Sequence, residues 1–202
     1  RGEKPAQSFS GAPVILISID TLRADRLPLY GYAGVQTPAI DRFREDAVLV
    51  WAAWSHSPMT LPSHLSMLTG LLPAEHGVRN NIGFRFRADA HPYLPCLLRD
   101  RGYATGAAVS SYVLRSESGM DRCFDEYEDS IDPRPDAEFA EYQRPGADTA
   151  RAALRWIAAQ GDRPFFHFFH IYEPHVPYDP PEPFRSRYPA AYDGEVAHAD
   201  AI

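Results

Sequence analysis

Residues 13–19 read PVILISI, and Asp20 follows at once. A near-continuous apolar run, rich in β-branched residues and closed by a carboxylate, is the pattern of a central parallel strand buried on both faces. Asp20 then stands at the C-terminal end of that strand, the edge where open α/β sheets bind ligands. YATGAAV at 103–109 and PFFHFFHIY at 164–172 read as further core strands, and residues 48–54 as a short one. Helical patterns lie between them. PAIDRFREDAVL opens on Pro38 with Ile40, Phe43 and Ala47 at helical spacing and Thr37 as N-cap. Residues 91–101 form a second helical pattern, stopped by Gly102, and 146–160 a third, amphipathic one that aligns Ala150, Leu154 and Ile157. Residues 119–145, rich in Asp, Glu, Pro and Arg, read as an exposed excursion, and 188–202 starts a last helix. Strands and helices alternate without repeats. The expected class is α/β, a three-layer sandwich with a mostly parallel central sheet and helices on both faces.

Composition narrows the function. The 202 residues suit one domain or most of one. A hydrophobic content of 45% supports a real core rather than disorder. With 20 basic and 27 acidic side chains the formal net charge is -7, so the chain lacks the basic footprint of a nucleic-acid binder and none is expected as partner. An anionic substrate is still compatible, because a metal and a few donors reverse the field within one pocket. Cys96 and Cys123 match no metal or redox spacing, and nothing in the sequence supports a disulfide between them. No apolar run approaches the roughly 20 residues that span a bilayer. Residues 1–12, RGEKPAQSFSGA, read as a leader or linker ahead of a fold over 13–202, and an opening on Arg1 is compatible with a removed signal or anchor.

The chemistry concentrates in SPMTLPSHLSMLTG at 57–70. Thr60 stands at the mouth of a helix that Pro62 initiates and Gly70 ends, where free N–H groups favour an anion. A threonine hydroxyl becomes a useful nucleophile when a metal lowers its pKa, and Asp20 can supply a hard oxygen ligand for that metal. Such a centre suits attack on phosphorus or sulfur in a tetrahedral ester. Read alone, Thr60 is a helix cap as readily as a nucleophile, and Asp20 a structural carboxylate as readily as a ligand. His64, one turn beyond Thr60, shares its helix face.

VILISIDTLRADRLPLYGY, TPAIDRF, SPMTLPSHLSMLTGLLPAEHGVRNN, PFFHFFHIYEPHVPYDPP and YDGEVAHAD, in that order, resemble the N-terminal part of the sulfatase branch of the alkaline phosphatase superfamily. The resemblance implies a hydrolase of phosphate, phosphonate or sulfate esters that works through a covalent intermediate on a metal-bound nucleophile. It makes Asp20 the first metal ligand and Thr60 the nucleophile and metal-bound hydroxyl. His175 becomes the histidine that contacts the transferred group and protonates the leaving group, with His170 packed in its strand or supporting His175. It assigns substrate contacts to His64 and to Asn80, with Asn81 a close rival. Thr21 stands where many sulfatases carry a second aspartate, against a two-aspartate calcium site. Thr60-Leu61-Pro62-Ser63-His64 replaces Cys-x-Pro-Ser-Arg, and threonine cannot become formylglycine, so none is expected and phosphoryl chemistry is favoured.

The resemblance also implies a later Asp-His or Asp-Asn pair, which this sequence lacks, so the domain reads as truncated at its C-terminus. Zinc or manganese is expected rather than calcium or magnesium, because an imidazole ligand favours softer ions. The partner is a small-molecule, glycan-linked or lipid-linked anionic ester. Self-association, or a C-terminal chain, is expected to cover an open sheet edge. The alternatives are a phosphoethanolamine-type transferase and an inactive sulfatase-like scaffold. Members often work outside the cytoplasm, which favours a periplasmic or extracellular setting.

Overall fold

A computed structural model describes residues 10–131 and 142–202. The elements run β1 (Val14–Ile19), α1 (Pro38–Arg44), α2 (Thr60–Thr69), α3 (Pro73–His76), α4 (Leu94–Arg99), β2 (Ala104–Val109), β3 (Glu126–Glu128), α5 (Gly146–Ala158), β4 (Phe165–Ile171), α6 (Phe184–Arg187) and α7 (Ala191–Ala201). The four strands form one parallel sheet in the order β1-β4-β2-β3. Consecutive parallel strands need crossovers: helices supply those from β1 to β2 and from β3 to β4, and two short 3-10 turns lie in the one from β2 to β3.

Alternation along β4 separates the two faces. Phe166 and Phe168 join Ala107 and Val109 of β2 and the Leu61, Leu65 and Leu68 stripe of α2 in the larger core. Phe165 and Phe169 face the other way, onto Trp156, Ala152 and Ala153 of α5. Gly106 of β2 belongs to that second face, where a Cβ would lie 2.5 Å from the Trp156 ring. Only glycine lets the indole lie flat on the strand. The three-layer α/β arrangement is therefore the one the sequence predicts.

Several expectations fail in instructive ways. Among the described residues β1 stands at the sheet edge, with Ile15 49% and Ile17 58% exposed. On that face α5 packs over β2 and β4. Residues 48–54 form no strand, and Val48, Trp51 and Trp54 are exposed, because no partner strand lies alongside them. The stretch from 119 is no simple excursion: Met120 is fully buried, Glu126–Glu128 pairs with β2, and residues 132–141 lie outside the described residues. Residues 1–9 of the expected leader also lie outside them. Thr37 makes no cap. The free N–H groups of Ala39 and Ile40 instead donate to Asp200, at 3.0 and 2.7 Å, from the far end of the chain.

Cys96 and Cys123 form a disulfide, with Cα atoms 4.9 Å apart. A separation of 27 residues says nothing about pairing. What decides it is that α4 packs on β2, while Thr105 of β2 holds the carbonyl of Cys123 at 2.8 Å.

Candidate active site

The C-terminal ends of β1 and β4 meet the N-terminus of α2. Strand register sets Ser18 beside His170 and Ile19 beside Ile171, and the Asp20 N–H continues the ladder to the Ile171 carbonyl at 3.0 Å. Asp20 is buried, and Thr60, the first residue of α2, donates its hydroxyl to Asp20 Oδ2 at 3.3 Å. Burial pushes the Asp20 carboxyl up, but the imidazoles of His170, His64 and His175 outweigh it and hold the group below the usual carboxylate range. Both residues line an open pocket of about 290 Å³ whose other polar walls include Ser55, Ser57 and Ser63.

His64 is buried behind this pair. A carbonyl can only accept, so His64 Nδ1–H donates to the Thr60 carbonyl at 2.7 Å, and Nε2 accepts from the Ser18 hydroxyl at 2.8 Å. Burial, then the nearby His170, push this imidazole down to about 4, so it is neutral at pH 7. Both nitrogens are engaged with the protein, which makes His64 a brace between β1 and the first turn of α2. His170 is fully buried beside it, with ring centroids 4.9 Å apart. Its Nε2 lies 3.5 Å from Asp20 Oδ2, and neither ring nitrogen has another partner. His170 is packed, as expected of a strand residue, but it supports Asp20 rather than His175.

On the other side of Thr60 lies a smaller cavity of about 130 Å³, shared with His175 and Asn81. His175 stacks on Tyr172, centroids 4.3 Å apart, and its Nδ1–H donates to the Val176 carbonyl at 2.7 Å, leaving Nε2 as its second nitrogen. Asn81 Oδ1 accepts from the Leu61 N–H at 2.8 Å and so caps α2. Asn80 is exposed, its Oδ1 takes the Asn81 N–H at 2.7 Å, and it lines neither cavity. Of the two asparagines, the structure sets Asn81 beside Thr60. Thr21 has a left-handed backbone, φ 56°, rare for a β-branched residue, and spends its hydroxyl on the Pro174 carbonyl at 3.1 Å.

Residues 13–201 match the sulfatase family. The chain belongs to that family. Among curated relatives, N-acetylgalactosamine-6-sulfatase of Sus scrofa is 29% identical over 111 residues, covering 48% of this chain and 21% of that protein. The match thus spans about a fifth of the relative's length. Among solved structures, Ps i-CgsB superposes with a TM-score of 0.77 at 21% identity, covering 95% of this chain and 53% of that one. Phosphonate monoester hydrolase of Agrobacterium radiobacter superposes at 0.69 and 22% identity, covering 86% and 43%. The C-terminal periplasmic domain of EcEptC from Escherichia coli, in complex with Zn, superposes at 0.71 and 15% identity, covering 95% and 57%. At these identities the likeness to the solved structures is one of fold.

The sulfatase family implies a metal. Asp20 Oδ2 and Thr60 Oγ1 are hard oxygen donors 3.3 Å apart, a spacing that suits two ligands of one divalent ion. Such an ion takes roughly four to six ligands. Among the described residues no group of three or more His, Cys, Asp or Glu is arranged to hold one. The pair therefore fits as part of a shell.

Proposed function

We propose that residues 13–202 carry the nucleophile of a metal-dependent hydrolase of sulfate or phosphate esters, with Thr60 transiently esterified. The observation that carries this reading is the Thr60 hydroxyl on the buried Asp20 carboxylate, at a helix mouth that opens onto two cavities. A metal held by Asp20 and Thr60 would supply Lewis acidity and lower the pKa of the hydroxyl. Thr60 Oγ1 forms the new bond to phosphorus or sulfur as the bond to the ester oxygen breaks, and its proton has an acceptor in Asp20 Oδ2. The leaving oxygen takes a proton from Nε2 of His175 in its imidazolium form; water then forms the bond to phosphorus or sulfur, giving one proton back to His175, as the bond to Thr60 Oγ1 breaks and Asp20 returns its proton to that oxygen. Asn81, with its oxygen committed to α2, has its N–H groups left for a substrate oxygen. His64 and Ser18, which also border the larger pocket, hold Thr60 in position.

The family supports an anionic ester, and the relative's name, N-acetylgalactosamine-6-sulfatase, supports a sulfated sugar among the substrates. A threonine nucleophile in place of a convertible cysteine or serine supports phosphate esters beside sulfate. Zinc or manganese is the proposed ion, supported by the zinc complex of the EcEptC domain. A disulfide supports a periplasmic or extracellular setting. No helix among the described residues is long and apolar enough to cross a membrane.

The test is turnover of 4-nitrophenyl phosphate and 4-nitrophenyl sulfate with added zinc or manganese, by the protein and by Thr60→Ala. Turnover that survives Thr60→Ala would sink the proposal.

A further inference from the structure

Asp20 follows β1 and His175 follows β4, and the residue after the first is bonded to the residue before the second. The ladder between the two strands ends where the Asp20 N–H meets the Ile171 carbonyl. One residue on, the Thr21 hydroxyl donates to the Pro174 carbonyl at 3.1 Å. Glu173 and Pro174 are the central residues of a turn that the His175 N–H closes on the Tyr172 carbonyl at 2.9 Å. The Gly146 N–H, at the start of α5, donates to Glu173 Oε1 at 3.0 Å. We propose that Thr21 and Glu173 are positioning residues, which clamp this turn from two sides and so set the reach of His175 to the leaving oxygen. The inference rests on the ester-hydrolase reading, with His175 as proton donor, and deepens it.

Three observations carry it. The first is the backbone of Thr21. A β-branched residue at φ 56° is strained, and such strain persists where the surroundings over-determine it. They do so here: the Tyr192 hydroxyl donates to the Thr21 carbonyl at 2.8 Å and accepts the Arg23 N–H at 3.0 Å. The second is the seat of Glu173. Its Oε2 is buried and has no hydrogen-bond partner among the described residues, a cost that water would remove if the side chain turned outward. A Cβ on residue 146 would lie 2.6 Å from that oxygen, so glycine at the head of α5 is what leaves the carboxylate room. There it also meets the positive end of a helix of 13 residues. The third is the turn. The bond that closes it fixes its shape but not its orientation to β1. Thr21 ties it to the Asp20 side and Glu173 to α5, and His175 is the next residue along. A displacement of about 1 Å in a reacting group is enough to cost on the order of a hundredfold in rate.

The test compares 4-nitrophenyl phosphate with phenyl phosphate. 4-Nitrophenolate leaves without a proton and phenolate gains most from one, so the pair isolates what His175 contributes. In kcat/KM with zinc or manganese, Thr21→Ala and Glu173→Ala are expected to lose about ten- to hundredfold on phenyl phosphate and under about threefold on 4-nitrophenyl phosphate. Thr21→Ser keeps the hydroxyl and Glu173→Gln keeps an acceptor for Gly146, and both are expected to retain the parent's ratio. Melting midpoints of all four are expected within about 4 °C of the parent. A second readout needs no turnover. In the metal-free protein, hydrogen exchange of the His175 amide is expected to quicken about tenfold in both alanine variants and to stay unchanged in the conservative ones. Equal losses on the two esters, no loss on either, or unchanged exchange in the alanine variants would overturn the proposal while the parent's Thr60-dependent turnover stands. A parent without turnover, or turnover that survives Thr60→Ala, would overturn the ester-hydrolase reading and this inference with it.

Discussion

β4 and β1 lie side by side in register, from Val14 opposite Phe166 to Ile19 opposite Ile171, yet they live in different surroundings. β4 has a strand on either side and a helix layer over each face, and Phe166 and Phe168 are fully buried. Among the described residues β1 has a neighbour on one side, and Ile15 and Ile17 stand open on the face where α5 packs over β2 and β4. The site straddles this seam: Asp20 extends the open strand, while His170 belongs to the sealed one. A carboxylate on the less supported strand is held in place by its neighbours. The Ile171 carbonyl fixes its backbone, His170 and Thr60 flank its side chain, and the Ser18–His64 contact ties β1 to α2.

The contrast breaks most directly through paired truncations. Phe168→Ala on β4 is expected to cost about 3–5 kcal/mol of folding stability, and Ile17→Ala on β1 under about 1 kcal/mol. Denaturant unfolding of both variants measures the gap, and similar costs would erase the distinction between the strands. A smaller effect belongs to the disulfide that ties α4 to the segment beside β2, on the sealed side of the sheet. Closing a loop of 27 residues is worth about 3.5 kcal/mol, so Cys96→Ser with Cys123→Ser is expected to lower folding stability by roughly that amount, read by denaturant unfolding. A variant as stable as the parent would show that packing alone holds this region.

Acid sharpens the comparison further. His167 of β4 is buried against Trp156, and burial pushes its imidazole down to about 4 from 6.5. Between those values the unfolded chain binds a proton that the folded chain refuses. Stability is therefore expected to fall as pH drops from 6.5 towards 4, by about 1–3 kcal/mol for this residue. Melting curves of the parent and His167→Phe check it: the variant's pH slope should be shallower, and identical slopes would remove His167 as the cause.

Asp20 and Thr60 stood out because one ends an apolar run and the other opens a segment, and such punctuation survives without a structure; His175 was singled out by the family resemblance. The parallel strands 103–109 and 164–172 were legible for the same reason. What escaped depends on pairings far apart in the chain. Apolar content cannot tell an edge strand from a central one, because strand order is set by which crossovers form. Ser18, His64 and His170 become one cluster only when β1 and β4 are in register and α2 lies over their even-numbered face. The choice between Asn80 and Asn81 turns on one residue in a turn. Asp200 as the cap of α1, and Cys96 as the partner of Cys123, join segments with no local signal.

The central claim is that Thr60 carries the transferred group. The most direct measurement is acid-quenched intact mass and peptide mapping after brief exposure to 4-nitrophenyl phosphate or sulfate with zinc or manganese. The account predicts a phosphoryl or sulfuryl adduct on Thr60, absent in Thr60→Ala and strongly reduced in Asp20→Ala. Turnover that proceeds without any adduct, or an adduct on another residue, would contradict it.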